Sequence, residues 1–253
     1  MIATSTLYST FIRPNWPAPA HVKAIQTTRL GGVSRPPYAS FNLAEHVKDD
    51  ALHVARNRQL LSDFVPSEPI WLNQVHGTRV VDASLSSCVE SADAAFTSKK
   101  EVVCVTMTAD CLPVLLCDIQ GTVVAAIHAG WRSLCDGVIE ATVTAMLSQH
   151  PTLQTHQLMA WLGPAIGPQA FEVGNEVKEQ FVAQDIHATQ AFVAHGDKWL
   201  GNLPMIAQQR LKKLGVVAVY GIEECTYQQP DKYFSFRRDG DTGRMATLIW
   251  LSA

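Results

Sequence analysis

No two cysteines of this 253-residue sequence are separated by just two residues, and its nine histidines form no His-x-His or His-Glu-x-x-His pair. The first absence excludes a zinc ribbon or a dithiol redox motif, and the second excludes a helical metalloprotease site. Positive charge is not in surplus either. Twenty Lys and Arg stand against 23 Asp and Glu, a net charge of −3. That balance argues against a broadly basic nucleic-acid surface and against a polybasic membrane anchor. No apolar run approaches the ~20 residues that span a bilayer. Residues 1–10 lack a basic start, and Pro14, Pro17 and Pro19 interrupt the stretch after them, so no export signal is expected. Charged residues make up 17% and hydrophobic residues 47%, which excludes disorder. Six unpaired, irregularly spaced cysteines fit a reducing compartment, and the expected location is cytoplasmic. No linker, repeat or heptad stripe divides the chain, so residues 1–253 are expected to form one monomeric domain, large enough to bury its own core.

What is present is a series of short apolar runs bounded by Gly, Pro or Asp. Val102–Met107, Leu112–Cys117, Val123–Ile127, Leu158–Leu162, Val216–Tyr220 and Thr247–Leu251 read as buried strands. Helical periodicity marks 50–64, 134–148, 175–183 and 202–214, the last stopped by Gly215. Strands and helices do not alternate regularly. The expected class is therefore α/β with mixed sheets rather than a doubly wound parallel sheet.

Leu112–Cys117 and Val123–Ile127 are joined by Asp118-Ile119-Gln120-Gly121, too short for a parallel crossover. An antiparallel hairpin is expected. With Ile119 and Gln120 at the centre of the turn, Cys111 faces His128 at the open end, and a different register still leaves them as diagonal neighbours. His128 opens His128-Ala129-Gly130-Trp131-Arg132, where small residues permit close approach before a helix start suited to an anion. His76, in Gln74-Val75-His76-Gly77, is a further candidate. One cysteine and two histidines can hold zinc with a fourth position open, as in a catalytic site. Each residue also has a plainer reading. His76 can cap a loop, Cys111 can be a small buried hydrophobe, and hairpin geometry cannot recruit His76.

Several blocks together resemble one family. They are Thr28-Arg29-Leu30-Gly31-Gly32-Val33-Ser34, Phe41-Asn42-Leu43, Gln74-Val75-His76-Gly77, Thr108-Ala109-Asp110-Cys111-Leu112-Pro113, His128-Ala129-Gly130-Trp131-Arg132 and Gly163-Pro164-Ala165-Ile166-Gly167. Phe171-Glu172-Val173-Gly174 and the tail from Phe234 to Arg244 complete the set. In this order they resemble the YfiH-type family, also called the laccase-domain, polyphenol oxidase or peptidoglycan-editing-factor family. Ser133 and Phe171 stand where glycine and tyrosine are common in it. The resemblance implies a layered α/β/β/α fold, related to a bacterial toxin domain with a Cys–His deamidase site. It implies zinc on His76, Cys111 and His128, and purine nucleoside phosphorylase activity, with adenosine deaminase and methylthioadenosine phosphorylase activities also attributed to the family.

Phosphorolysis needs an oriented ribose and a held anionic nucleophile. Arg132, and Arg29 beside Gly31-Gly32, are candidates for the positive charge, while Asn42 and Gln74 are candidates for hydrogen bonds to the nucleoside. Arg29 also reads as a turn anchor, and Asn42 and Gln74 as loop residues. Asp93 and Asp110 both qualify for proton transfer, and Asp93 equally as a turn residue. Arg237, Arg238 and Arg244 read as a solvated hairpin of which some members reach the site. Cys225 reads as a packed thiol. A multicopper oxidase would need many clustered imidazoles, so zinc is expected rather than copper. The rival reading is a Cys–His hydrolase or amidase with Cys111 as nucleophile, acting on a peptidoglycan precursor.

Overall fold

A computed structural model describes Leu7, residues 9–86 and residues 88–253. The chain runs through β1 (Val22–Gln26), α1 (Ala51–Leu61), β2 (Leu72–Asn73), β3 (Val80–Asp82), β4 (Glu90–Ser91), β5 (Ala94–Thr97) and β6 (Cys104–Thr108). The hairpin β7 (Leu112–Asp118) and β8 (Val124–Ala129) comes next, with α2 (Trp131–Asp136), α3 (Val138–Gln149) and β9 (Leu158–Leu162). Then come β10 (Glu172–Val173), α4 (Asn175–Gln184), β11 (Phe192–His195), β12 (Lys198–Gly201) and α5 (Leu203–Lys213). β13 (Ala218–Gly221), α6 (Phe236–Asp239) and β14 (Met245–Leu251) complete the path.

Two sheets form the centre. One has six strands in the order β13-β9-β7-β8-β5-β3, the other three in the order β1-β14-β6. The larger sheet is mixed, because β13 with β9 and β3 with β5 are parallel while its other pairs are antiparallel. Side-chain alternation along the hairpin makes the layers. Val114, Leu116, Ala125 and Ile127 pack with Val138, Ile139 and Met146 of α3 and Leu203, Ile206 and Leu211 of α5. Their neighbours Leu115, Cys117, Val124 and Ala126 meet Cys104, Ile249 and Leu251 of the smaller sheet. The outer face of that sheet, with Val105, Met107 and Leu248, is covered by Phe41, Leu43 and Leu61. The result is α/β/β/α. Each fully buried Leu or Ile in these layers contributes on the order of 1.5–3 kcal/mol. Among the described residues, no helix is long and apolar enough to cross a membrane.

Local chemistry sets the ends of the elements. Asn202 caps α5 by accepting from the Met205 amide. The same helix ends with Gly215 at φ +90, the Gly215 amide on Lys212 O and the Val216 amide on Leu211 O, which is a Schellman closure. The stretch 134–148 is two helices rather than one. Gly137, at φ +100, breaks it and leaves α2 and α3 as separate segments that share the buried stripe of Leu134, Val138 and Met146.

The hairpin register differs from the expected one. Pro113, not Cys111, faces His128, and Cys117 faces Val124. The cause is Asp118. Its carboxylate accepts from the amides of Gln120, Thr122 and Val123, so the connection wraps around the side chain and extends to Val123. The resulting shift is two residues. Because strand side chains alternate with period two, Cys111 stays on the His128 face and falls beside Gly130, one step beyond the ladder.

Candidate functional site

Three connections place three donors in one spot. β8 carries the buried His128 to the end of its strand. The link from β6 to β7 turns at Asp110, whose φ of 92 aims the following Cys111 back toward β8. The loop between β2 and β3 holds His76 at φ 59. Left-handed backbone at a non-glycine residue costs of order 1–3 kcal/mol and persists where its surroundings fix it. Here they do. The Asp110 carboxylate accepts from the Thr226 hydroxyl and the Arg237 amide, each at 2.6 Å.

Asp93 fixes the other turn. This fully buried carboxylate accepts from the backbone amides of Val75 at 3.2 Å, His76 at 2.9 Å and Gly77 at 2.7 Å, and from His128 Nδ1 at 2.8 Å. An ionised carboxylate only accepts, so His128 Nδ1 carries the proton and Nε2 faces away from Asp93. Burial opposes the charge on Asp93, but the bonds from His128, Gly77 and Val75 outweigh it and hold its pKa below the usual carboxylate value. In the metal-free chain, burial opposes protonation of His128, yet Cys111 and Asp93 lift its pKa to about 9. Burial, then the neighbouring His128, lowers that of His76.

The ligand atoms of His76, Cys111 and His128 lie within 4.8 Å of one another, and the two imidazoles meet edge to face at 4.7 Å between centroids. His76 Nδ1 is buried with no hydrogen-bond partner. A bare, buried imidazole nitrogen beside a thiol and a second imidazole fits a metal ion that takes nitrogen and sulfur donors. This group could bind a metal. Gly130 makes the space for it. A Cβ there would collide with His76 Nδ1 and stand 3.1 Å from Cys111 Sγ, although the backbone at φ −64 and ψ 161 accepts any residue. Gly130→Ala is therefore expected to keep the fold while displacing His76, lowering metal affinity by tenfold or more on the scale of disturbed metal sites. Thermal unfolding and metal titration of the variant check both halves.

The trio sits in a cavity of about 480 Å³, whose wall also includes Arg132, Arg237 and Arg244. Arg132 lies 4.3 Å over the Trp131 ring. Arg244 is half-buried. Desolvation lowers its pKa, against the opposing pull of Cys111 and Asp110. One of its nitrogens donates to the carbonyls of Thr242 and Gly243, and it forms no ion pair among the described residues. His46 lines the same wall, its pKa lowered by burial and then by Arg244.

Of the residues singled out from sequence, His76, Cys111, His128, Arg132 and Gln74 line this cavity. Arg29 and Asn42 lie outside its lining. Arg29 donates to the carbonyls of Ala39 and Pro230 and stacks on Phe234, clamping two loops. Asn42 is buried, and bonds Ala44, Asp49 and the Arg244 amide. Gln74 lines the wall, but its amide bonds both the N–H and C=O of Met107. Cys225 is a packed thiol that accepts from the Gly167 amide. Sequence reasoning missed His46 altogether and left Asp93 and Arg244 among open alternatives. A lone carboxylate between Ala92 and Ala94, ahead of a buried strand, was a usable signal, because a buried charge demands partners.

Residues 23–252 match the family described as multi-copper polyphenol oxidoreductase laccase. The chain belongs to that family. Its YfiH-type members include the purine nucleoside phosphorylase YfiH of Escherichia coli (strain K12), 49% identical over 96% of this chain and 99% of that protein. The purine nucleoside phosphorylase of Haemophilus influenzae is 48% identical over 94% and 98%. Among solved structures, a Neisseria meningitidis protein of family DUF152 superposes with a TM-score of 0.92 at 46% identity, covering 96% of this chain and all of that one. Bacillus licheniformis YfiH gives 0.84 at 27% identity, covering 91% and 93%. The chain thus shares its mixed α/β fold with these relatives across nearly its whole length.

Proposed function

We propose that this chain is a zinc-dependent purine nucleoside phosphorylase, converting inosine or adenosine with phosphate to free base and ribose 1-phosphate. The observation that carries the reading is the His76, Cys111 and His128 donor group at the wall of a cavity that also presents Arg132 and Arg244. The curated names of relatives at 48–49% identity support the reaction class. Among the described residues there is one group of three or more potential metal-holding side chains, and it has three members. That supports a single ion, not the several clustered imidazole sites that multicopper chemistry requires.

Zinc held by the three donors supplies a Lewis-acidic centre able to polarise an oxygen ligand. The protein's own groups do the rest. Arg132 and Arg244 present guanidinium donors to phosphate, a nucleophile whose charge must be held against the sugar. Asp93 keeps the proton on His128 Nδ1 and so fixes the ring. Partial burial of Arg244 strengthens its pull on an anion relative to a fully solvated guanidinium. Adenosine deamination and methylthioadenosine phosphorolysis belong to the same reading, as further reactions on purine nucleosides in this cavity.

The test follows free base and ribose 1-phosphate from inosine with and without phosphate, in the wild type, His76→Ala and Cys111→Ala. Product that requires phosphate and disappears in both variants supports the reading. Equal turnover in the variants would sink it.

A second reading has one specific observation in its favour. Cys111, His128 and Asp93 stand in a nucleophile–base–carboxylate order, with Asp93 on the far ring nitrogen. A Cys–His amidase acting in peptidoglycan precursor editing would form a covalent acyl group on Cys111, and its capture by mass spectrometry would favour that chemistry.

A further inference from the structure

The apolar side chains of the cavity deepen the nucleoside reading, and their assignment to base binding rests on that reading. The wall carries Trp131, Ile166, Phe171, Leu203 and Phe236 beside the arginines. Phe236 differs from its neighbours. It is 58% exposed, whereas Phe171 is buried at 5% and Leu203 at 1%. An exposed phenyl ring on a loose segment would be unremarkable. This one is tightly anchored. The next residue, Arg237, donates its amide to Asp110 at 2.6 Å and its guanidinium to Glu172 O at 2.8 Å. Arg238 donates to the carbonyls of Thr226, Tyr227 and Tyr233 and pairs with Asp239. On the other side, Ser235 is fully buried and caps the short helix α6 by accepting from the Arg238 amide. The frame is fixed, and the ring it carries stays largely exposed at the cavity wall, with the Arg244 guanidinium 5.7 Å from its centroid.

Two polar side chains of the wall are already engaged. The Gln74 amide is bonded at both ends to Met107, and both Asp110 oxygens have partners. The exposed Phe236 ring offers a ligand a flat aromatic surface beside them. Purines offer a π-face of matching kind, and stacking on an aromatic side chain tolerates changes at the base edge.

We propose that Phe236 is the residue on which the purine base of the substrate stacks, making it the base-binding and positioning residue of this cavity. The assignment separates two jobs within one site. The base is held by the ring of Phe236, and phosphate by the arginines near the metal-binding group. Loss of the ring should weaken inosine and adenosine alike, and by more than it weakens phosphate, whose Arg244 lies 5.7 Å from the ring centroid.

The experiment uses zinc-loaded protein in which Phe236 is replaced by Ala, Leu or Tyr. Inosine binding is measured calorimetrically without phosphate, and KM for inosine, adenosine and inorganic phosphate is measured in turnover. Phe236→Ala is expected to raise the inosine Kd and both nucleoside KM values by about tenfold. Phe236→Tyr should bind like the wild type and Phe236→Leu should remain weak, with zinc content unchanged throughout and phosphate KM shifted less than the nucleoside KM values. Unchanged nucleoside affinity in Phe236→Ala would overturn the assignment, as would recovery by Leu equal to that by Tyr. If the wild type turns over inosine while these variants match it, only the stacking role falls. A wild type that neither binds nor cleaves purine nucleosides removes the nucleoside reading and this assignment with it.

Discussion

Cys111→Ala is expected to leave a folded chain that carries no stoichiometric zinc and phosphorolyses inosine more than a hundredfold more slowly. The residue sits one step before β7, outside the ladder, and is only partly buried. Its loss therefore removes little packing, and a surface-like stability change within about 0.5–1 kcal/mol is expected. The consequence for the site is far larger. Disturbing groups that merely orient metal ligands costs tenfold to a hundredfold in affinity or activity, and removing one of three ligands should exceed that. Elemental analysis beside a ribose 1-phosphate assay reads both effects, and thermal unfolding confirms the fold. The amidase reading also predicts lost activity, but not lost zinc. Metal content therefore separates the two.

Asp93→Ala should produce the largest stability loss of any single change near the site. The carboxylate satisfies three backbone amides and one imidazole N–H from a fully buried position. Leaving such donors without a partner costs about 1–3 kcal/mol apiece before relaxation, and breaking a buried charged pair costs about 3–5 kcal/mol. A drop of that second size in unfolding free energy is expected. Asp93→Asn is the sharper probe. Oδ1 accepts from the His76 amide and His128 Nδ1, while Oδ2 accepts from the Val75 and Gly77 amides. Whichever way the new carboxamide turns, its NH₂ group points at two donors. Zinc affinity should fall by about ten- to hundredfold even where the chain stays folded. Denaturant titration and chelator competition test the two variants. An Asn variant that binds zinc like the wild type would show that Asp93 does not orient the donors.

The layers were legible from sequence because apolar strands betray themselves by composition. Leu158–Leu162 reads off without error, and the β7–β8 hairpin follows from its short connection. The hairpin register was not legible, since it depends on Asp118 folding its own loop around its carboxylate. Parity preserved the conclusion: a two-residue slip keeps Cys111 and His128 on one face. Spacing could offer His76 as a candidate but could not join it to the hairpin pair, because the bonds that tie its loop to His128 pass through Asp93, a residue of another segment. Arg29 and Arg244 show the same limit from opposite sides. Both are arginines near glycines, yet one clamps loops through backbone carbonyls and the other lines the cavity. Only tertiary placement distinguishes them.

The most direct test of zinc-dependent phosphorolysis is phosphate-dependent formation of ribose 1-phosphate from inosine, measured on one preparation as isolated, after zinc removal, and after return of zinc or copper. Activity is predicted to vanish with the metal and to return with one equivalent of zinc per chain, but not with copper. Full phosphorolysis by the metal-free chain, or recovery with copper alone, would contradict a zinc-dependent phosphorylase.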